Sequence, residues 1–394
     1  MNLLQKKLQH NIISEYFYSF INNLSMSNSI WVLYLAYRGM SLLEIGLLEG
    51  IYHITGLLFE IPSGAAADLL GRKRSMLVSR ILMIFSCIIM LFSNTFAGFA
   101  LSFILQSLSG NFNSGSEEAL VYDSLKQLET EENYPIINGR INMLIEVSQS
   151  VATVLGGILA EYSFSYCYAT STVIAALGLI PLLFMTEPTI GRTATAKHTS
   201  VCSTVKKHFQ TSAAILQKDR QILLIIVYYS AVFSAFNTLF FYGQQYFYEL
   251  GLNKIEISIV MLFAGLAACL GALSNNSFSK LLGRKTALFG ALMISLSILL
   301  FGFYHLYLSI GALLVATFFN SVLYPVQSNA LNQRIPSAQR ATLISVNSMF
   351  FSVFMILMFP LAGAFADITN LATAFVLLGA VTLLCSLLYY KKLF

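Results

Sequence analysis

Long apolar stretches recur along the chain and are separated by short polar connections. Hydropathy predicts twelve helices, at about residues 12–36, 42–66, 75–93, 97–125, 137–160, 164–185, 221–247, 256–278, 286–304, 307–331, 341–364 and 369–390. A helix of roughly 20 apolar residues crosses the hydrocarbon core of a bilayer. The pattern therefore predicts an all-α membrane protein with twelve transmembrane helices, in contact with lipid.

The composition agrees with this prediction and excludes other classes. Of 394 residues, 57% are hydrophobic and 10% are charged, whereas soluble domains carry about 25% charged residues. The five cysteines are scattered without metal or disulfide spacing. We find no phosphate-binding loop, zinc spacing or nucleophile motif. We therefore expect neither an enzyme nor a nucleic-acid-binding protein, and we expect no cofactor or metal.

The basic residues predict the orientation of the helices. With these boundaries, 21 of the 23 Lys and Arg residues fall on one side, and only Arg38 and Lys254 fall on the other. Cytoplasmic loops carry the excess of Lys and Arg. Both termini and the long central loop are therefore predicted to be cytoplasmic, in a multi-pass protein of the cell (plasma or inner) membrane that functions as a monomer.

The two halves of the chain resemble one another. The loop at 188–220 is the longest and divides a six-helix bundle at 1–187 from a second at 221–394. The sequence Leu-Leu-Gly-Arg-Lys follows the second helix at 69–73 and the eighth helix at 281–285. Internal repeats of this kind are expected of secondary transporters. We predict two six-helix pseudo-repeats.

A motif after the second helix carries a resemblance to a known family. It reads Gly64-x-x-x-Asp68-x-x-Gly71-Arg72-Lys73, and with it the chain resembles the major facilitator superfamily over essentially its full length. The resemblance implies a gating role, in which contacts of Asp68, Arg72 and Lys73 hold one side of the transporter shut. The glycines allow a tight turn and close helix packing. The alternative is that the basic residues only set topology.

Other segments bear on which branch the chain resembles. The sequence Phe-Glu-Ile-Pro-Ser-Gly at 59–64 is similar to bacterial drug exporters, including tetracycline-type proton antiporters. Two motifs of the superfamily are altered. Gln106 stands where an Arg is usual in helix 4, and Ala152-Thr153 replace a Gly-Pro in helix 5. Because of these departures, import remains an alternative to drug export.

Acidic residues deep inside the predicted helices occur only in the first half, and no Lys or Arg lies deep, although Arg80 is about one turn into helix 3. Charges inside a membrane are costly, so each is a functional candidate. Burial without a neighbouring cation favours the protonated carboxyl. We predict a proton-coupling set, with His53 as a relay, made of Glu49, His53, Glu60, Glu117 and Glu146. The alternative, that acids and His53 only bond neighbouring helices, remains open, notably for Glu15 and Asp123.

Helical spacing predicts which faces line a substrate cavity. In helices 1, 2, 4 and 5 the polar residues recur at intervals of three and four, which places them on one helix face. Helices 7 and 10 instead carry aromatic and amide side chains, suited to stacking and cation–π contacts. The predicted substrate-binding residues are Asn22, Asn113, Gln149, Asn237, Phe240, Asn320, Tyr324 and Gln327.

These patterns predict a secondary active transporter that works by alternating access. Acids without deep cations favour a lipophilic neutral or cationic small-molecule substrate, exported in exchange for protons, as in multidrug efflux and antibiotic resistance. A proton-coupled importer or a metabolite exporter of the same fold is the alternative. Carboxylates and amides serve sodium as well as protons, so the coupling ion is a further expectation and not a deduction.

Overall fold

A computed structural model describes residues 3–189, 219–334 and 340–393, and these residues contain helices and no strand. Eight helices precede residue 190: α1 (Leu3–Asn23), α2 (Trp31–Tyr37), α3 (Leu42–Leu70), α4 (Arg72–Phe92), α5 (Phe96–Gln127), α6 (Tyr134–Tyr162), α7 (Phe164–Leu177) and α8 (Leu179–Phe184). Six follow residue 219: α9 (Arg220–Glu249), α10 (Lys254–Leu282), α11 (Lys285–Phe301), α12 (Leu306–Asn332), α13 (Arg340–Ile368) and α14 (Leu371–Leu393). The all-α prediction is confirmed.

The first predicted helix is broken, which the hydropathy pattern did not indicate. The sequence predicts one helix over 12–36, but α1 ends at Asn23 and α2 begins at Trp31. The intervening segment is rich in Ser and Asn, whose side chains compete for backbone hydrogen bonds. The Asn23 amide donates to the Ser19 carbonyl at 2.8 Å, and Ser25 and Ser27 hydrogen-bond each other at 3.3 Å. The break therefore follows from local polar chemistry.

Nine helical segments among the described residues are long and apolar enough to cross a membrane. Helices α1 and α5 have the length but fall outside this set, and α11 is apolar but has 17 residues. A multi-pass membrane protein is thus confirmed. The count of twelve spans and the cytoplasmic placement of the termini stay predictions.

The chain divides into two compact units. Residues 3–30 and 54–189 belong to the first unit, and residues 31–53 belong to the second together with 219–334 and 340–393. The predicted bundle boundaries at 187 and 221 stay predictions, and most of the predicted linker lies outside the described residues.

Small polar residues line the contact between α4 and α5 in the first unit. Ser79 and Ser109 hydrogen-bond at 3.0 Å, and Ser86 and Ser102 do so at 2.9 Å. All four are buried. Small side chains allow helices to approach closely, and a hydrogen bond across the contact satisfies their hydroxyls. This packing fixes α5, which carries several site residues.

Aromatic side chains dominate the core of the second unit. Tyr242 of α9 stacks on Phe359 of α13 with ring centroids 4.2 Å apart. Tyr246 contacts Phe301 and Phe375 at 5.0 and 5.5 Å. Aromatic pairs in such arrangements add to the free energy gained from burial. The core of this unit is therefore built around α9, which contains an apolar stretch of 18 residues that is 72% buried.

Candidate functional site

The motif after the second predicted helix forms a turn between α3 and α4. The Asp68 carboxylate pairs with the Arg72 guanidinium at 2.7 Å, with side chains 62% and 23% exposed. Gly71 has φ 96°, which favours glycine. Gly64 is exposed, and a methyl group added there would meet no atom within 4 Å. The structure thus places the motif's charges at a surface, one helical turn apart.

Glu187, which the sequence did not single out, holds this turn in place. Its carboxylate accepts hydrogen bonds from the backbone N–H groups of Arg72 at 2.6 Å and Lys73 at 2.8 Å. A carboxylate at a helix N-terminus satisfies free N–H groups and opposes the helix dipole. The Lys73 ammonium donates to the Met185 carbonyl at 2.7 Å. The sequence signal that could have identified Glu187 is its position as a single acidic residue just after an apolar helix.

Two carboxyl groups share one hydroxyl inside the first unit. Ser19 Oγ lies 2.9 Å from Glu15 Oε1 and 2.7 Å from Glu117 Oε1. Glu15 and Ser19 are both 0% exposed. Glu117 was a predicted proton carrier, whereas the role of Glu15 was left open. The structure brings these three side chains together.

The pair continues into a polar chain on α5, α1 and α4. Asn113 Nδ2 donates to Glu117 Oε2, and the Tyr18 hydroxyl donates to Asn113 Oδ1. The Arg80 guanidinium lies over the Tyr18 ring, 5.7 Å from its centroid. Arg80 is only 4% exposed, so the cation predicted to lie about one turn into its helix is buried. Tyr18 and Arg80 were both missed as site residues.

A second acid pairs with a histidine in the second unit. His53 Nε2 lies 3.4 Å from Glu49 Oε1, and both side chains are 12% exposed. His53 Nδ1 lies 3.2 Å from Ser352 Oγ of α13. The other two predicted acids, Glu60 and Glu146, are exposed. Of the predicted proton-coupling residues, Glu49 and His53 thus belong to the second unit, and Glu60, Glu117 and Glu146 belong to the first.

The predicted amide residues Gln149 and Asn22 of the first unit have different surroundings. Gln149 Nε2 of α6 donates to Asn23 Oδ1 at 3.2 Å. Asn22 Oδ1 is buried and has no hydrogen-bond partner among the described residues. A buried acceptor without a partner is unfavourable unless a ligand or water satisfies it. The binding role of Asn22 stays a prediction.

Predicted substrate residues of the second unit occupy different environments. Gln327 is 3% exposed and donates to Asn347 of α13 at 2.7 Å. Tyr324 is 67% exposed, with its ring 6.3 Å from that of Phe233. Asn347 was not predicted, although it lies on the neighbouring helix.

The remaining predicted residues of this unit form no common cluster. Asn237 bonds only locally, to the Phe233 carbonyl at 2.9 Å, and Phe240 contacts Phe236 and Phe241. Asn320 Oδ1 is buried without a partner in the described part of the chain. Within 3–189, 219–334 and 340–393, no three His, Cys, Asp or Glu side chains are grouped to hold a metal ion.

The helical fold, with ionisable groups held between apolar helices, is that of a multi-pass membrane protein. A family model described as Major Facilitator Superfamily matches residues 16–284 and 246–393. The chain belongs to this superfamily. It is a membrane transporter, and its substrate is a small molecule.

Known proteins similar to this chain have several different substrates or none assigned. An uncharacterized MFS-type transporter, YxaM of Bacillus subtilis (strain 168), is 25% identical over 386 residues, covering 95% of this chain and 94% of its own.

Crystal structures of three transporters share the fold. The nucleoside transporter NupG has a TM-score of 0.76 at 14% identity, covering 99% of each chain. A D-xylose-proton symporter has a TM-score of 0.66 at 16% identity, covering 99% of this chain and 98% of its own. A peptide transporter POT in complex with sulfate has a TM-score of 0.72 at 13% identity, covering 98% of this chain and 94% of its own.

Proposed function

We propose that this transporter couples the outward movement of a lipophilic, neutral or cationic compound to the inward movement of protons. The observation that carries the proposal is the chemistry of the groups buried in the helices. Glu117 and Glu49 have hydroxyl, amide or imidazole partners, and no Lys or Arg pairs with either of them in the described part of the chain. Ionisable groups inside a membrane are costly, and they are found where an ion or a proton is carried.

The pairing of Glu49 with His53 supports a relay. Imidazole gives and takes protons near neutral pH, and its two nitrogens can bond two partners at once. Here one nitrogen faces Glu49 at 3.4 Å and the other faces Ser352 at 3.2 Å. This geometry suits transfer of a proton along α3 toward α13.

The second unit supplies the chemistry expected for an apolar or cationic substrate. Phe233 and Tyr324 present aromatic faces, and Asn320 presents an acceptor without a partner within 3–189, 219–334 and 340–393. Aromatic rings attract cations and flat apolar groups. The one buried cation of the described residues, Arg80, lies against Tyr18 in the first unit. An anionic substrate would need a cationic partner in a medium of low dielectric constant.

A proton-coupled importer or metabolite exporter is the alternative. Two observations favour it: the altered motifs at Gln106 and Ala152-Thr153, and the fold shared with a D-xylose-proton symporter at 16% identity. The two hypotheses differ in the direction of proton-driven flux.

Transport into inside-out membrane vesicles tests the proposal. With an acidic lumen, we expect accumulation of a lipophilic cation and of a neutral compound, abolished by a protonophore, and little uptake of an anion matched in size. Vesicles without the protein are the control. Accumulation only in right-side-out vesicles would establish the importer. Uptake driven by sodium and not by pH would refute proton coupling.

A further inference from the structure

We infer that Glu15 and Glu117 bind a single proton between them through Ser19, and that Glu15 stores it while Glu117 exchanges it. This inference rests on the proposed proton coupling and adds Glu15 and Ser19 to the site. The two carboxyl groups come from different helices, α1 and α5, and both contact the Ser19 hydroxyl.

The number of hydrogens at Ser19 determines the protonation state. A hydroxyl carries one hydrogen and accepts through its lone pairs, whereas an ionised carboxylate only accepts. Ser19 Oγ is within hydrogen-bond distance of Glu15 Oε1 at 2.9 Å and of Glu117 Oε1 at 2.7 Å. Both contacts are hydrogen bonds only if one carboxyl is protonated and donates to Ser19.

Asn113 makes the surroundings of the two carboxyl groups unequal. The Tyr18 hydroxyl donates to Asn113 Oδ1, which leaves the Asn113 amide nitrogen to donate to Glu117 Oε2. Glu15 Oε2 has no such donor among the described residues. The negative charge is therefore better stabilised on Glu117, and the proton of the pair resides on Glu15, which donates to Ser19.

Burial assigns the two roles. Glu15 is 0% exposed, and its second oxygen, Oε2, has no hydrogen-bond partner in the described part of the chain. An ionised carboxylate there would leave a charged oxygen unsolvated, which is very unfavourable. Glu117 is partly exposed. A proton therefore reaches Glu117 first, and the buried Glu15 retains it.

The transfer step balances without another reactant. The O–H bond of Glu15 breaks as its proton moves to Ser19 Oγ, and the Ser19 hydrogen moves to Glu117 Oε1. The products are a Glu15 carboxylate, a Glu117 carboxylic acid and an unchanged serine. No oxidation or bond rearrangement beyond the two proton transfers is involved.

No cation lies beside the Glu15 carboxyl group among the described residues to compensate a negative charge on it. Glu117 of α5 faces it directly, and Tyr18 lies on the same helix with Arg80 of α4 behind its ring. Helices α6, α7 and α8 also pack on α1, and their described residues place no charged group against Glu15. Two carboxyl groups this close to each other cannot both be ionised without a cation beside them.

Infrared spectroscopy of the purified protein in nanodiscs tests this without transport. A protonated carboxyl has a C=O stretching band distinct from that of a carboxylate. We expect this band at neutral pH in the wild type and its loss in Glu15→Gln. In Glu117→Gln the like charge is absent, so the band should disappear at a lower pH than in the wild type. Glu118→Gln, an exposed neighbour of Glu117 on α5, should match the wild type.

Each remaining outcome separates this inference from the proposed function. If the carboxylic acid band is unchanged in Glu15→Gln, the inference is wrong. If sodium removes the band and choline does not, the pair binds a cation, and the inference is also wrong. If Glu15→Gln is poorly folded, Ser19→Ala replaces it, and the band should then shift in pH. Wild-type vesicles without proton-driven transport, but with the band, would refute the coupling and leave the proton pair standing.

Discussion

The carboxylate of Asp367 at the end of α13 caps the start of α3 within the second unit. It accepts hydrogen bonds from the backbone N–H groups of Leu42 at 3.0 Å and Leu43 at 2.8 Å. The Tyr242 hydroxyl of α9 donates to the Leu42 carbonyl at 2.7 Å. A methyl group on Gly363 would collide with that same carbonyl. Segment 31–53 is therefore held to α13 and α9 by a few definable contacts.

The magnitude of the Asp367 contact can be worked out. Asp367→Asn keeps one acceptor oxygen but loses the charge and one of the two N–H bonds. Loss of a helix cap costs about 1 kcal/mol, and the exposure of Asp367 keeps the charge contribution small. We therefore expect the population in which α3 is detached from α13 to rise about fivefold, since 1.4 kcal/mol corresponds to a factor of ten.

Maleimide labelling of a buried cysteine measures that population. Ile45 of α3 is 0% exposed, so Ile45→Cys, in a background without the natural cysteines, reacts only when the segment opens. The labelling rate should rise about fivefold when Asp367→Asn is added. Glu44→Gln is the matched control, because Glu44 bonds only the nearby Ser41, with Ser41 N–H donating to its carboxylate at 2.9 Å.

Two results would refute this reasoning. An unchanged labelling rate in Asp367→Asn would mean that the cap contributes nothing to closure. An equal rise in Glu44→Gln would mean that fraying of α3, and not its attachment to α13, controls access. If transport proceeds by the alternating access that the sequence predicts, these contacts break in each cycle, and the Asp367 variant should then also change turnover.

Three further predictions concern the turn motif and the second unit. Asp68→Asn and Arg72→Ala should each lower transport at near-normal membrane levels, because an ion pair this exposed contributes little to stability; wild-type turnover would reject a gating role. Gly71→Ala should lower the melting temperature, because its φ of 96° and the Glu187 carboxylate 2.8 Å from an added methyl both oppose a side chain; an unchanged melting curve would contradict this. Gln327→Leu should lower the free energy of unfolding by about 1–3 kcal/mol, because it leaves Asn347 unpaired, and it should alter compound preference. Tyr324→Ala, at an exposed position, should change only the preference; thermal melting and compound competition measure the two effects.

Much of the fold could be predicted because membrane helices are specified by local composition. Helices α5 and α10 begin within a residue or two of their predicted starts at 97 and 256. The break between α1 and α2 was missed because apolar residues continue through it, while the Ser and Asn side chains that end the helix barely lower the hydropathy.

The candidate site was harder to predict because its contacts join distant segments. Helical spacing correctly placed Asn113 and Glu117 on one face, where they hydrogen-bond. It could not show that Ser19 meets Glu117 across 98 residues of sequence. Nor could it show that Glu187 caps α4 across about 115 residues. Such pairings depend on how the helices pack, and a single sequence does not contain that information.

Departures from the hydropathy rule are themselves informative about the site. The described helices α1 and α5 are long enough to cross a membrane but fall outside the set apolar enough to do so. They are also the two helices that bring Glu15 and Glu117 together. Polar residues within a membrane helix weaken its insertion, so they persist where they are needed for function. The two long helices that fall outside the apolar set are thus the ones that carry the proton pair we infer. Glu15→Gln combined with Ser19→Ala would make α1 more apolar and would remove its part in binding the proton.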